Sequence, residues 1–406
     1  MKKSLGAIAL LGMSALVLAG CTADSESAEI RVWLVGTETP QEARDYLIET
    51  FADRNPGSTI VIEEQTRDGL VDTLTTGLSS PDGPDIVEFG VTLAPAFTST
   101  GALLDLTDDY ETLGGDDLLP GQVSAGTYDG AFFAPPLFAQ ARAVFADPAL
   151  VVGAPATLDE FVRTAKALTA ANPGRSGLHF AGRDWRSALP FIWAHGGEVA
   201  VEEGGGWDAQ LSSDASVAGL LQVQDLLMNA SLAPRDGDGA EPWVAYCENR
   251  AIQFSAPDQA LERASACDSA TPPPAPFVYA LPGREGGIAP VLADGSNVGI
   301  SAASEHPGLA RSALKIMLSD EFQTLYGESG LVPARTSLAS TLGDTPAAVV
   351  LATVAGSARL TPASPKWAEV EASGVLEDLM GQIAIGGEIA ALAAAADRQI
   401  EAILNG

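Results

Sequence analysis

Cysteine is scarce in this chain of 406 residues: Cys21, Cys247 and Cys267 are all there are. Histidine is as sparse, and none of His179, His195 and His306 stands at ligand spacing from those cysteines, which argues against a zinc site. No metal and no cofactor are expected. Basic residues are few, 22 Lys plus Arg against 53 Asp plus Glu, for a formal net charge of −31. So acidic a surface repels phosphate backbones and anionic lipid headgroups, and nucleic-acid binding is disfavoured. Catalytic signatures are missing as well: there is no G-x-S-x-G elbow, no H-E-x-x-H metal motif and no G-x-x-x-x-G-K phosphate loop. Beyond the N-terminal segment, no apolar run approaches the ~20 residues that span a bilayer.

The N-terminal segment is the first positive signal. Met1-Lys2-Lys3 supplies a basic start, residues 5–17 an apolar and small-residue run too short for a permanent membrane helix, and Leu18-Ala19-Gly20-Cys21 a cleavage boundary. The pattern resembles a bacterial lipoprotein signal. That resemblance implies removal of residues 1–20 and a mature chain that begins at Cys21, carries lipid such as palmitate there, and is held on the cell membrane. An ordinary cleaved secretory signal is the alternative. Residues 21–28 read as a short polar tether. About 385 residues remain, long for one core and comfortable for two lobes. In an exported chain Cys247 and Cys267 form an even pair in a compartment that permits disulfides, and closing a loop of about 20 residues contributes on the order of 3 kcal/mol.

Order begins directly after the tether. Ile30, Val32, Trp33, Leu34 and Val35 form a run of buried-strand type. Thr39-Pro40-Gln41-Glu42 then reads as a helix start, with Thr39 as N-cap, and Asn55-Pro56-Gly57 as its stop. Residues 59–62 form a second strand, 68–78 a second helix and 86–89 a third strand, a β-α-β-α-β alternation that argues for a parallel sheet. In such sheets ligands bind beyond the carboxyl ends of the strands, which places residues 36–39 and 88–92 at the mouth of a site. Tyr128-Asp129-Gly130 suggests a hairpin turn. Thr157-Leu158-Asp159-Glu160 is a second capping box and opens another lobe. Helices follow at 185–195 and 213–229, strands at 251–254 and 277–281, and from residue 307 onward the chain is mainly helical, with one continuous helix expected over 367–385.

Several segments together resemble the extracellular solute-binding proteins of ABC transporters, in the sugar-binding family that includes the maltodextrin-binding proteins. They are Ile30-Arg31-Val32-Trp33, Asp82-Gly83-Pro84-Asp85-Ile86-Val87, Tyr128-Asp129-Gly130-Ala131-Phe132-Phe133-Ala134-Pro135 and Ala194-His195-Gly196-Gly197. Farther on lie Gly295-Ser296-Asn297-Val298-Gly299-Ile300-Ser301 and Leu360-Thr361-Pro362-Ala363-Ser364-Pro365-Lys366-Trp367. The resemblance covers nearly the whole mature chain. It implies an α/β, periplasmic-binding-protein-like fold of two lobes, each a mostly parallel sheet flanked by helices, with three interlobe crossings near 139–141, 296–300 and 355–360. Lobe 1 would hold 29–140, lobe 2 141–297, a return to lobe 1 298–357, and the last helices, 358–406, would belong to lobe 2. A monomer of this kind closes around a mono- or oligosaccharide outside the cytoplasm, delivers it to an ABC permease and performs no chemistry.

A sugar site needs aromatic faces to stack on and polar groups for hydroxyls. Trp367 is the leading aromatic candidate, because its segment resembles the family's Pro-rich loop before a C-terminal helix; Trp185, at a helix start, and Trp243 follow. Among polar groups the candidates are Glu38 after the first strand, Glu88 with Phe89 and Thr92 around the end of the third, Arg142 beside the first crossing and Asn297 at the second. Glu88 has little reason to stand in a buried strand unless it meets a ligand or an ion pair. Other roles stay open: a solvated carboxylate for Glu38, an interlobe salt bridge for Arg142, a turn for Asn297. The chain also departs from the family pattern. Val91 and Leu93 flank Thr92, Leu137 and Phe138 stand where tyrosines are usual, and Ala256-Pro257-Asp258-Gln259 lacks a tryptophan. These changes predict a more apolar pocket, less typical of oligosaccharide binding. Two other functions remain: an exported glycoside-acting enzyme, which would need two carboxylates about 5 to 10 Å apart, and a receptor of the same fold used for signalling or protein interaction.

Overall fold

The computed structural model describes residues 28–406 apart from Asp68 and Ala141. The signal segment and the lipid-attachment residue Cys21 lie outside the described residues. Strand β1 (Glu29–Val35), helix α1 (Gln41–Arg54), β2 (Thr59–Gln65), α2 (Leu70–Leu78) and β3 (Ile86–Gly90) follow the expected alternation. β1 pairs in parallel with both β2 and β3. The hairpin at Tyr128 forms as read: Thr127–Tyr128 pairs with Ala131–Phe132, and the turn is made by Asp129 at φ 48° and Gly130 at φ 79°.

The chain re-enters the first sheet as β4 (Pro136–Gln140) and leaves it as β5 (Ala143–Ala146), the opening strand of the second lobe. There α3 (Leu158–Ala171), α4 (Trp185–Ala194) and α5 (Asp214–Asn229) surround a sheet of β5, β6 (Gln253–Ala256) and β7 (Phe277–Tyr279). The Thr157 hydroxyl accepts the Glu160 N–H, the expected cap. β8 (Asp294–Ile300) returns to the first sheet, followed by α6 (Pro307–Met317), α7 (Asp320–Glu328) and β9 (Val332–Pro333). α8 (Pro346–Ala355), α9 (Trp367–Ser373), α10 (Val375–Ala384) and α11 (Ile389–Asn405) complete the chain.

The first-lobe sheet runs β9-β4-β8-β3-β1-β2. Its two faces are both covered. Ile30, Val32 and Leu34 pack with Phe51, Phe322 and Tyr326 on one side, and Val35, Leu74, Val87 and Phe89 pack on the other. A larger core in the second lobe gathers Phe161, Trp185, Phe191, Leu226, Trp367 and Ile400. A junction cluster joins Leu119, Ala139 and Val332 to Phe145, Tyr246 and Phe254. The lobes are joined where β4 passes to β5, where the chain enters β8, and at Ala358–Arg359, which pairs with Val291–Leu292.

Four details differ from the expectation. The sheets are less parallel: β8 is antiparallel to β3 and β4, β9 to β4, and the β6-β5-β7 sheet is antiparallel throughout. The reason is the crossings, because β8 arrives from the other lobe rather than over a local helix. Asp294 is already paired in the first sheet, and α8 buries Leu351 and Val354 in the junction cluster with Phe145 and Val278 of the second lobe and Val332 of the first. Gly374, at φ 72°, divides the expected helix over 367–385 into α9 and α10. Thr39 does not cap α1; its hydroxyl instead pairs with the Tyr326 hydroxyl at 2.8 Å. Cys247 and Cys267 form a disulfide with Cα atoms 5.2 Å apart.

Candidate functional site

A cleft of about 790 Å³ opens between the lobes. The carboxyl ends of the three parallel strands feed it: Glu38 follows β1, Arg67 follows β2, residues 69–72 begin α2, and residues 90–93 end β3. The second lobe contributes Arg186 from the first turn of α4, Pro257 and Gln259 beyond β6, and the 368, 369, 371 and 372 positions of α9. Crossing segments form the floor through Gln140 and residues 292–295.

The lining is mixed, with Leu70, Val71, Val91, Leu93 and Leu292 standing among the charged groups. Glu38, Asp72, Asp294, Glu369 and Glu371 face two guanidinium groups, Arg67 and Arg186. Both cations are already engaged: Arg67 is ion-paired with Glu38, and Arg186 donates to Glu371 at 3.2 Å while stacking over the Trp185 ring at 4.3 Å. Gln140 donates to Gln259 at 3.1 Å. Glu371 is the most connected carboxylate. It accepts the Trp367 indole N–H at 2.7 Å and lies near the Thr92 hydroxyl, which comes from the opposite lobe. Burial pushes its carboxyl above the usual range, with Arg186 and the Trp367 N–H pulling back. The departures at Val91 and Leu93 do line the cleft, and no aromatic side chain does.

Of the nine residues singled out in the sequence, Glu38 and Thr92 line the cleft. Trp185 and Trp367 lie one layer behind it, 3% and 0% exposed, with ring centroids 6.5 Å apart in an edge-to-face pair. They brace the wall that carries Arg186 and Glu371; Trp185 gives its N–H to Glu377 at 2.8 Å. Trp367 therefore offers no face to a ligand. α9 turns positions 367 and 370 into the core and 368, 369, 371 and 372 to the cleft, as 3.6-residue periodicity requires.

Glu88 and Phe89 sit beneath the floor. Glu88 is 1% exposed, and Phe89 packs on Phe97 with centroids 5.3 Å apart. Burial lifts the Glu88 carboxyl to about 7 despite the bond its Oε2 accepts from the Val35 N–H. It meets neither a ligand face nor an ion-pair partner at contact distance, so a catalytic use of Glu88 has no support. Arg142 turns away into the second lobe, where it lines a cavity of about 20 Å³ and donates to Ser187 at 3.4 Å. Trp243 is half-buried against the junction cluster. Asn297 is fully buried and donates to the Gln122 and Ala134 carbonyls at 3.0 and 2.8 Å, a structural tie.

Sequence reasoning missed Arg67, Asp72, Gln140, Arg186, Gln259, Asp294, Glu369 and Glu371. Arg67 and Asp72 follow β2 by the same strand-end rule that selected Glu38. The positions of Gln140, Gln259 and Asp294 depend on how the crossings pack, which has no local signal. Among the described residues no group of three or more His, Cys, Asp or Glu could hold a metal ion.

The fold has known counterparts. The chain is 28% identical over 398 residues to the diacetylchitobiose-binding protein DasA of Streptomyces coelicolor, covering 91% of each chain. The GacH receptor of Streptomyces glaucescens, solved unliganded and with acarbose, superimposes with a TM-score of 0.76 at 20% identity over 94% of this chain and 99% of that one. The sugar-binding protein MalE of Xanthomonas citri gives a TM-score of 0.82 at 16% identity over 93% of this chain and 97% of its own. Residues 36–324 match the bacterial extracellular solute-binding protein family, and the chain belongs to that family of extracytoplasmic binding proteins, which are not enzymes.

Proposed function

We propose that the protein captures a carbohydrate between its lobes and delivers it to an ABC transporter permease, tethered to the cell membrane through lipid on Cys21 and acting as a monomer. The observation that carries this reading is the cleft itself, fed by three strand ends of one lobe and walled by α9 and Arg186 of the other. The diacetylchitobiose-binding relative supports a carbohydrate. Carboxylates and amides in the lining suit hydroxyl recognition, with Glu38, Thr92, Arg186 and Glu371 as the central contacts. Both arginines are neutralised internally while Asp72, Asp294 and Glu369 have no ion-pair partner among the described residues, so the cleft favours neutral or amine-bearing sugars and rejects sugar acids and sugar phosphates.

Thermal-shift screening tests this reading with neutral sugars, N-acetylated sugars, amino sugars and sugar phosphates. A ligand at a hundredfold its Kd stabilises by about 2.7 kcal/mol. Shifts confined to neutral or amine-bearing sugars are expected. No shift with any carbohydrate would sink the assignment, and a shift with sugar phosphates alone would reverse the charge argument. Mass spectrometry of the membrane-bound protein checks the anchor, which Cys21→Ala is expected to abolish.

A further inference from the structure

Arg142 is a buried cation with no contact counterion among the described residues. It is 8% exposed, and its guanidinium stays ionised in any protein setting. Among the described residues its side chain makes one hydrogen bond, the long one from Nη1 to the Ser187 hydroxyl at 3.4 Å, and its Nε is buried with no partner. Asp184 faces it from the turn before α4, but that carboxylate accepts the Ser187 N–H at 3.1 Å and stops short of contact with the guanidinium. A buried charge left in this state is costly unless something beside it compensates. Room for such a group is present. The cavity of about 20 Å³ that Arg142 lines is also bordered by the hydroxyl-bearing Ser187 of α4 and Ser255 of β6, by His179, and by Phe161 and Phe191.

We infer that this cavity is a binding site for one small monovalent anion of chloride size, held by the Arg142 guanidinium and the hydroxyls of Ser187 and Ser255. A space of this volume takes about one water or one halide ion, and neither a sugar ring nor a phosphate group. A water molecule would satisfy Nε and leave the positive charge uncancelled, whereas a halide ion does both. The Ser187 hydroxyl accepts from Arg142, so its own hydrogen is free to point at the ion, and the Ser255 hydroxyl can rotate to do the same. Burial and Arg250 push the His179 ring down to about 4, which keeps it neutral near pH 7 and able to donate an N–H. Asp184 opposes an anion here, and Arg186, which acts on the same carboxylate, offsets that opposition. Arg142 stands between β4 and β5 at the first crossing, and Ser187 belongs to α4, so the bound ion fastens the crossing to the second lobe. The site is separate from the cleft, and the inference holds whether or not the cleft takes a sugar.

The test replaces methanesulfonate, too large for the cavity, by chloride at constant ionic strength and reads the Tm of the protein without sugar. Constant ionic strength removes general screening, and a formal net charge of −31 repels anions from the surface at large, so a saturable response reports a local site. The parent Tm is expected to rise by several degrees up to about 200 mM chloride and to level off as one site fills. Arg142→Met, which keeps the length and removes the charge, is expected to lose that rise. Should Arg142→Met fail to fold, Ser187→Ala serves instead, with the chloride needed for half the rise increased several-fold. Crystals soaked in bromide are expected to show an anomalous peak within about 3.5 Å of Arg142 Nε. Equal parent Tm in the two salts, a variant that keeps the full parental response, or an ordered water with no anomalous signal at the cavity overturns the inference. A bromide peak without a chloride response in solution marks an adventitious ion only and overturns it as well.

Discussion

Replacing Trp367 separates a wall-forming tryptophan from a ligand-stacking one. The side chain is fully buried, pairs edge-to-face with Trp185 at 6.5 Å and gives its N–H to Glu371 at 2.7 Å. Truncating a buried tryptophan to alanine costs about 3–5 kcal/mol, and the edge-to-face pair accounts for about 0.5–1.5 kcal/mol of such contacts. If the second lobe of about 200 residues melts as a unit, with an unfolding entropy of about 2.1 cal/mol/K per residue, a loss of about 4 kcal/mol lowers its Tm by about 10 °C. Trp367→Phe keeps most of the apolar volume and removes only the donor to Glu371, so a loss of about 1–3 kcal/mol is expected. Urea and thermal unfolding measure both variants. A Trp367→Ala protein within about 0.5 kcal/mol of the parent that nevertheless loses ligand binding refutes the reasoning, because it would mean the ring faces the ligand.

Other outcomes follow from the same geometry. Glu88 is held near 7 against an ordinary 4.5, so the folded state retains its proton longer than the unfolded chain does. The stability this lends is complete below about pH 4.5 and lost as pH rises to about 7, a span of about 3 kcal/mol. Relative to the parent, Glu88→Gln should therefore gain about that much between pH 4.5 and pH 8 in urea unfolding; a pH-independent difference would contradict the burial argument. Joint replacement of Cys247 and Cys267 by serine opens a bridge across a sequence separation of 20 and should cost about 3 kcal/mol, read as a lower urea midpoint. Thr92→Val removes a cleft-lining hydroxyl and should weaken ligand affinity several-fold in calorimetry with little change in Tm.

What the sequence disclosed was local. The first three strands and two helices follow from apolar runs and turn residues within short windows, and so does the Asp129-Gly130 turn. Glu38 and Thr92 were found because parallel strands open their ligand sites at their carboxyl ends, a rule that needs only local elements. Trp367 was read by residue type, although the spacing of Trp367 and Val370 already marked the core face of α9 and left Glu369 and Glu371 to the cleft. Arg142 and Asn297 sit at or beside crossings, and their partners are distant in the chain: Arg142 meets Ser187 45 residues away, and Asn297 bonds Ala134 across 163 residues. Glu88 was noticed for the right reason, an acid in a buried strand, while its partner, the Val35 backbone N–H, carries no signature in the sequence.

The interleaving of the lobes bears on how the chain acquires its structure. β8 lies between β3 and β4 in the first sheet, yet it is synthesised after most of the second lobe. The second lobe waits in turn for the chain's last helices: the bond between Trp185 and Glu377 joins residues 192 apart. Neither lobe can finish alone, and such long-range closure slows folding and prolongs the exposure of apolar surface. The β1-α1-β2-α2-β3 unit is contiguous and comes first in the chain, which makes it a natural early structure, with both cores completed late.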